Sequence, residues 1–254
     1  MKKEIRIDEL RVMMLDALTL RGIGSEDADF IVDDFLDAEL EGHKTHGVSK
    51  FLTLDIGLSG RESGIEIVRQ TGGHAKIDGH RELGHIAARQ AAAFSVELAK
   101  EHGVGLVALS NVSRYARLVP YSRLIAERGC IGIVTNNGGP AHVVPFGGSA
   151  PMFGTNPLSF GFPQGEKPPL LFDFATAQGV WGELRQAIVE ERSLPERTFL
   201  DAAGAFTTDP QRVQGVLPFG GARGAALCMA LEILTGAFVG AKMGGEIRDE
   251  YDLG

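Results

Sequence analysis

A mixed α+β fold with a mainly helical N-terminal domain is predicted by three features of the sequence. Up to about residue 58, apolar side chains recur at helical spacing. From Gly103 onward, short apolar β-type runs alternate with helix-like segments. Between them and a last apolar helix lies "NNGGPAHVVPFGGSAPMFGTNPLSFGFP", too rich in Gly and Pro for a helix and so predicted as loops and short strands.

Taken in order, "DELRVMMLDALTLRG" is a helix closed by Gly22, and Ser25 is placed to cap a second helix with Glu26 and Asp27 in its first turn. That helix breaks near Gly42 into "HKTHG", and a third helical piece is expected in "VSKFLTLDIGL". "IEIVRQ" and "HAKIDG" are strands joined by "TGG", and "LGHIAARQAAAFSVELAKEHG" is an alanine-rich helix ending at Gly103. "VGLVALS" and "CIGIVTN" are strands separated by the helix "PYSRLIAERG". "PLLFDFATA" is a further strand, "WGELRQAIVEE" a helix, and "FGGARGAALCMALEILTGAFVGA" a glycine-led apolar helix. The domain division is expected near residue 105: a helical domain over 1–105, a second domain over 106–240, and a segment over 241–254 returning to the first.

The whole-chain properties narrow the class of function. With 254 residues and 44% hydrophobic content, the chain has material for sizeable cores. A formal charge of −8 argues against a nucleic-acid partner, which calls for a basic face. Cys130 and Cys228 lie in apolar runs without metal-type spacing and are expected to be buried, reduced thiols. "MKKEIRIDEL" has no apolar signal core, and no window approaches a membrane span, so a cytoplasmic setting without membrane contact is expected.

Three segments carry candidate chemistry. His43 and His46 in "HKTHG" stand three residues apart; zinc ligation, simple packing and general acid–base work are all open, although no partner motif accompanies them for a metal. Asp173 in "FDFATA" sits between two phenylalanines, where a carboxylate needs hydrogen bonds or a charge partner; it either caps a turn or serves a histidine or cofactor hydroxyl. "PFGGARG" opens a helix with free amides and Arg223 beside them, which suits an anion but is also how many helices begin. No GxGxxG follows a strand.

"THGVSKF", "PFGGSAPMFGTNPLSFGFP", "FDFATA", "FTTDP" and "LPFGGARGAALCMALEILTGA" together resemble the malate/L-lactate dehydrogenase type 2 family, over essentially the whole chain. That family also holds ureidoglycolate and sulfolactate dehydrogenases, diketogulonate reductase and cyclic ketimine reductases. The resemblance implies a non-Rossmann fold binding NAD or NADP, a homodimer, and a small carboxylate substrate. It implies His46 as proton donor and Asp173 as its acidic partner. Substrate contacts are implied for Thr45, Lys50, Arg114, Thr155 and Asn156, with Thr45 and Lys50 standing where the family has Ser and Arg. Cofactor contacts are implied for Phe172, Asp173, Phe174, Ala175, Thr176, Gly220, Gly221 and Arg223. Arg223 replaces a usual lysine and Ala222 a usual histidine.

The main departure is "SNVSRYARLVPYS", where Arg114 takes the place of a histidine that many members use as acid/base. Arginine stays protonated and cannot shuttle a proton. The expectation is therefore a reductase of 2-oxo or 2-imino acids in which His46 gives the proton and Arg114 grips the substrate carboxylate. The alternative is a degenerate member that only binds nucleotide or serves assembly. For Arg114 itself the competing reading is a structural salt bridge, and Arg117 is expected to be a packing or surface residue. Family members continue further past "GGEIRDEYDLG", so the chain is expected to be truncated, to be nicked, or, the favoured reading, to be completed by a second polypeptide.

Overall fold

The computed structural model describes residues 4–54, 61–62 and 64–254. Helices α1 (Ile7–Thr19) and α2 (Ser25–Leu40) pack antiparallel-fashion through Met14 and Leu18 on one side and Ile31, Val32 and Phe35 on the other. The turn between them places Gly22 at φ 78, the left-handed geometry glycine adopts without steric cost. Gly24 rather than Ser25 holds the N-cap position, and Ser25 opens the helix. A 3-10 turn over Lys44–His46 leads into the short helix α3 (Val48–Phe51). The rest of the expected third helical piece falls partly outside the described residues.

Strand β1 (Glu66–Thr71) pairs antiparallel with β2 (His74–Glu82). Helix α4 (Gly84–His102) then crosses over to β3 (Leu106–Val112), which runs parallel to β2, as a parallel pair requires a long connection. Alanines 87, 88, 91 and 92 form the buried face of α4. Gly103 closes it at φ 84, with Lys100 and His102 in the last turn, where cations suit the dipole. Because β3 is hydrogen-bonded to β2, a division at residue 105 cuts through one sheet.

Helix α5 (Val119–Glu127), with Pro120 in its first turn, joins the two halves. One side meets α4 through Tyr121 and Ile125. The other lies on an antiparallel meander of β4 (Gly132–Thr135), β5 (Leu158–Gln164) and β6 (Lys167–Phe174). The approach is close: a Cβ on Gly161 would stand 2.8 Å from the Ser122 carbonyl carbon, and the Ser122 and Ser159 hydroxyls are 2.7 Å apart. A third core gathers α6 (Trp181–Val189), a small sheet of β7 (Phe199–Leu200), β8 (Phe206–Thr207) and β9 (Gly215–Val216), and Cys228 of α7 (Ala222–Thr235). Cys228 is buried and Cys130 only half-buried, and both are free thiols.

The last residues fold back over this frame. Asn137 donates its side-chain amide to Lys242 O at 2.9 Å and accepts from Gly254 N at 2.9 Å. The Arg81 guanidinium of β2 lies 3.8 Å from the Tyr251 ring centre, so the 241–254 segment does reach the first sheet. Among the described residues, no helix is long and apolar enough to cross a membrane.

Candidate active site

A cavity of about 540 Å³ lies where the turn before α3, the β3–α5 loop, the ends of β4 and β6, and the chain's final residues meet. His46, Lys50, Arg114, Thr155, Asp173, Phe174 and Ala175 all line it. Segments more than a hundred residues apart in sequence are thus brought to one place.

His46 is held at the end of the 3-10 turn, with its Nδ1 3.0 Å from the Thr45 hydroxyl. Thr45 itself stands behind the histidine, packed against Gly182, where a Cβ would come within 2.7 Å of it. Burial, followed by the charges of Arg117, Lys50 and His43, lowers the His46 pKa to about 4. At neutral pH the imidazole is uncharged and carries one ring proton. Among the described residues no group of three or more potential metal ligands exists.

The two arginines of the β3–α5 loop have opposite fates. Arg117 is buried against α2: Nε donates to Asp34 Oδ1 at 2.9 Å, Nη2 to Asp34 O at 2.9 Å, and Nη1 to Glu41 Oε2 at 2.6 Å. It is a packing residue, as expected, and a buried ion pair rather than surface decoration. Arg114 is exposed into the cavity and makes no ion pair with any described carboxylate, so the structural salt bridge that competed for it is not found. Ala116 between them adopts φ 48, a left-handed geometry unusual for a residue with a Cβ, and both arginines line the cavity, Arg117 tied down by its buried ion pair and Arg114 without one.

Asp173 does not hydrogen-bond His46. Its Oδ2 accepts the Leu118 amide at 3.1 Å and the Val119 amide at 2.9 Å, the free donors at the start of α5. Burial raises its pKa, opposed by these two hydrogen bonds. The implied pairing with His46 is therefore corrected: Asp173 anchors the arginine-bearing loop to β6. Two more implied contacts change in the same way. Asn156 is fully buried, its Nδ2 donating to Glu232 Oε2 at 2.7 Å and to Cys228 O at 2.9 Å, while Oδ1 accepts from Gly138 N at 3.1 Å. Thr176 is equally enclosed, its hydroxyl donating to Thr155 O and Asn156 O, both at 3.0 Å. With their polar atoms satisfied internally, neither offers a side chain to a ligand. Phe172 lies on the opposite face of β6, packed on Phe162.

The segment after β6 meets the loop before α7. Phe219 N donates to Thr176 O at 2.9 Å, and the Phe174 and Phe219 rings pack edge to face at 6.1 Å. Gly220 and Gly221 follow at φ 59 and 64, and no side chain caps α7. Arg223 is exposed in its first turn. This is a cradle of open amides beside a cation, and it fits a phosphate-bearing cofactor.

Several cavity residues were not singled out by sequence. Asn136, Asn137, Gly138 and Gly139 line it from the end of β4. A Cβ on Gly138 would stand 2.7 Å from the Asn156 amide nitrogen. The sequence signal was present, since "NNGG" directly after an apolar strand marks a turn at the strand's carboxyl end. His142, stacked on Trp181 at 4.1 Å, is a pairing that no local pattern announces.

Comparisons with known proteins agree with this arrangement. The malate/L-lactate dehydrogenase family profile matches residues 5–254. The L-sulfolactate dehydrogenase of Methanocaldococcus jannaschii is 35% identical over 247 residues, covering 94% of this chain and 71% of that protein. The ureidoglycolate dehydrogenase (NAD(+)) of Escherichia coli K12 is 28% identical over 98% of this chain and 72% of its own length. The solved structure of delta1-piperideine-2-carboxylate reductase from Pseudomonas syringae superposes with a TM-score of 0.86 at 25% identity, over 97% of this chain and 76% of that one. On the family match and these similarities, the chain belongs to the malate/L-lactate dehydrogenase family, a family of NAD(P)-dependent dehydrogenases.

Proposed function

We propose that this protein interconverts 2-oxo or cyclic 2-imino acids with the corresponding hydroxy or amino acids, with NAD or NADP as redox partner. The observation that carries this reading is one cavity presenting together an arginine that pairs with no carboxylate among the described residues, a lysine and a neutral histidine. The relatives act on sulfolactate, ureidoglycolate and a cyclic imino acid by name, and each of those substrates bears a carboxylate beside the reacting carbon. Phe174, Ala175, Gly220, Gly221 and Arg223 would hold the cofactor, whose reduced form supplies a hydride to C2.

Arg114, with its planar fork, grips the substrate carboxylate, a geometry that lysine does not reproduce. Lys50 adds a second charge on the same wall. His46 manages the proton of the C2 oxygen. In the oxidation of a hydroxy acid, its neutral ring accepts that proton directly. In reduction the imidazolium form gives the proton and returns to the neutral ring, and a carboxylate beside Lys50 offsets one of the charges that disfavour that protonated form. An imine that arrives already protonated makes less demand on this step. The exposed apolar side chains Met229, Ile233, Leu234 and Phe238 on and after α7 suit a self-association face, and a homodimer is part of the proposal.

The test is turnover with cofactor deuterated on the transferred face, offered with a panel of 2-oxo and cyclic 2-imino acids. Deuterium at C2 of the product supports the reading, and cofactor binding with no transfer to any of them refutes it.

A further inference from the structure

Glu232 stands in the last turn of α7, is 1% exposed, and pairs with no cation among the described residues. Three costs meet at this position. A carboxylate is withdrawn from water, it has no opposite charge beside it, and it faces the negative end of its own helix. Two amide donors offset them. Oε2 accepts from Asn156 Nδ2 at 2.7 Å, and Oε1 accepts from the Gly244 backbone amide at 2.6 Å.

These bonds run on to the wall of the active-site cavity. Asn156 holds a left-handed φ of 37, and its Oδ1 accepts from the Gly138 amide at 3.1 Å. Gly138 and Thr155 both line the cavity, and the Thr155 hydroxyl donates to Gly138 O at 3.4 Å. The packing is close, since a Cβ on Gly154 would stand 2.8 Å from Asn156 Oδ1 and 2.9 Å from the Gly138 nitrogen. At the other end of α7, Gly220, Gly221 and Arg223 form the cradle that fits a cofactor phosphate. Gly244 belongs to the 241–254 segment, whose Leu253 also lines the cavity. A buried polar network with its members satisfied fixes one arrangement of the parts it joins.

We propose that Glu232 is a positioning residue for the reaction: through Asn156 it holds the Gly138 and Thr155 wall of the cavity in place relative to the cofactor cradle at the start of α7. It touches neither substrate nor cofactor. The kinetic consequence rests on the proposed activity, and the geometry rests on the bonds above. A misplacement of about 1 Å between reacting partners is enough to cost about a hundredfold in rate.

The experiment uses the full chain with Glu232→Met, Asn156→Asp and the paired variant Glu232→Gln/Asn156→Asp. Glu232→Met removes the acceptor, and Asn156→Asp sets two carboxylates face to face. The pair exchanges donor and acceptor between the two side chains and keeps an oxygen for the Gly138 amide, so that only the bond to Cys228 O is lost. The expected result is that each single variant lowers kcat by about tenfold or more and hastens hydrogen exchange at the Gly138 amide, with cofactor affinity unchanged. The pair recovers most of both losses. Rates are taken well below each melting midpoint, and Asn156→Asp against the pair decides the matter should Glu232→Met not fold. Exchange at Gly138 needs no turnover, so it tests the network even where no 2-oxo or 2-imino acid reacts. Unchanged kcat or unchanged Gly138 exchange in the single variants overturns the proposal. So does a loss that the pair does not recover, or a cofactor affinity that falls in step with kcat.

Discussion

Replacing Arg114 by Ala separates substrate recognition from structural support more sharply than any other single change. A carboxylate gripped by a guanidinium makes charge-assisted hydrogen bonds worth about 1.5–3 kcal/mol in sum after exchange with water. At 1.4 kcal/mol per tenfold, that is a loss of about 12- to 150-fold in kcat/KM. Arg114 is exposed in the cavity, so solvent screening places the expected loss in the lower half of that range. Since no described carboxylate pairs with Arg114, folding stability should change by less than about 0.5 kcal/mol, as for an ordinary surface substitution. The assay is steady-state kinetics with the preferred 2-oxo acid beside a urea melt of the same preparation. Arg114→Lys should retain part of the activity, because the charge stays and the fork is lost. Unchanged turnover and KM in Arg114→Ala would refute the grip. A fall in activity matched by a fall in stability would instead make Arg114 a structural residue.

Two further outcomes follow from the same geometry. In hydroxy-acid oxidation kcat/KM reports the free enzyme, so with His46 at about 4 it should hold steady through roughly pH 6 to 8 and fall as pH descends toward 4. A limb near 6.5 would show that burial does not depress the ring. The sign for stability is the same: an imidazole whose folded pKa lies below its unfolded value favours folding above about 6.5 and loses that contribution as pH falls through 4. Arg117→Met leaves Asp34 buried without its cation and should cost about 3–5 kcal/mol, lowering Tm by ~6–20 °C. Adding Asp34→Leu should recover much of the loss, and a Tm unchanged by Arg117→Met alone would contradict the buried pair.

The elements of this fold were readable because their signals are local. Gly22 and Gly103 end their helices in the sequence as they do in the structure, and the alanines of α4 mark a face that sits close on β3. The site was readable in part. His46, Lys50, Arg114, Thr155, Asp173, Phe174 and Ala175 all line one cavity, although they come from segments far apart in the sequence. Misread positions share a physical cause, which is that sequence does not say where a polar side chain finds its partner. Asp173 could have faced a histidine, yet α5 brings two unpaired amides to it from 54 and 55 residues away. Asn156, at φ 37, turns inward to Glu232, 76 residues on. The change of composition after Gly103 precedes a strand that pairs backwards in the chain, a partnership that composition alone does not announce. Arg117 and Arg114 are alike on paper, and what separates them is the buried Asp34 and the Glu41 of α2 and its end that pair with Arg117 alone.

The central claim is that this cavity carries out redox chemistry on a 2-oxo or 2-imino acid with His46 at the reacting oxygen or nitrogen. Its most direct test is deuteride transfer by wild type and His46→Asn, read by mass spectrometry of the product, with cofactor binding measured on both proteins. The expected result is deuterium at C2 from wild type, transfer slowed by about 10²- to 10⁴-fold in His46→Asn, and equal cofactor affinity. Tight cofactor binding with no transfer to any acid in the panel, or equal transfer rates in the two proteins, would contradict it.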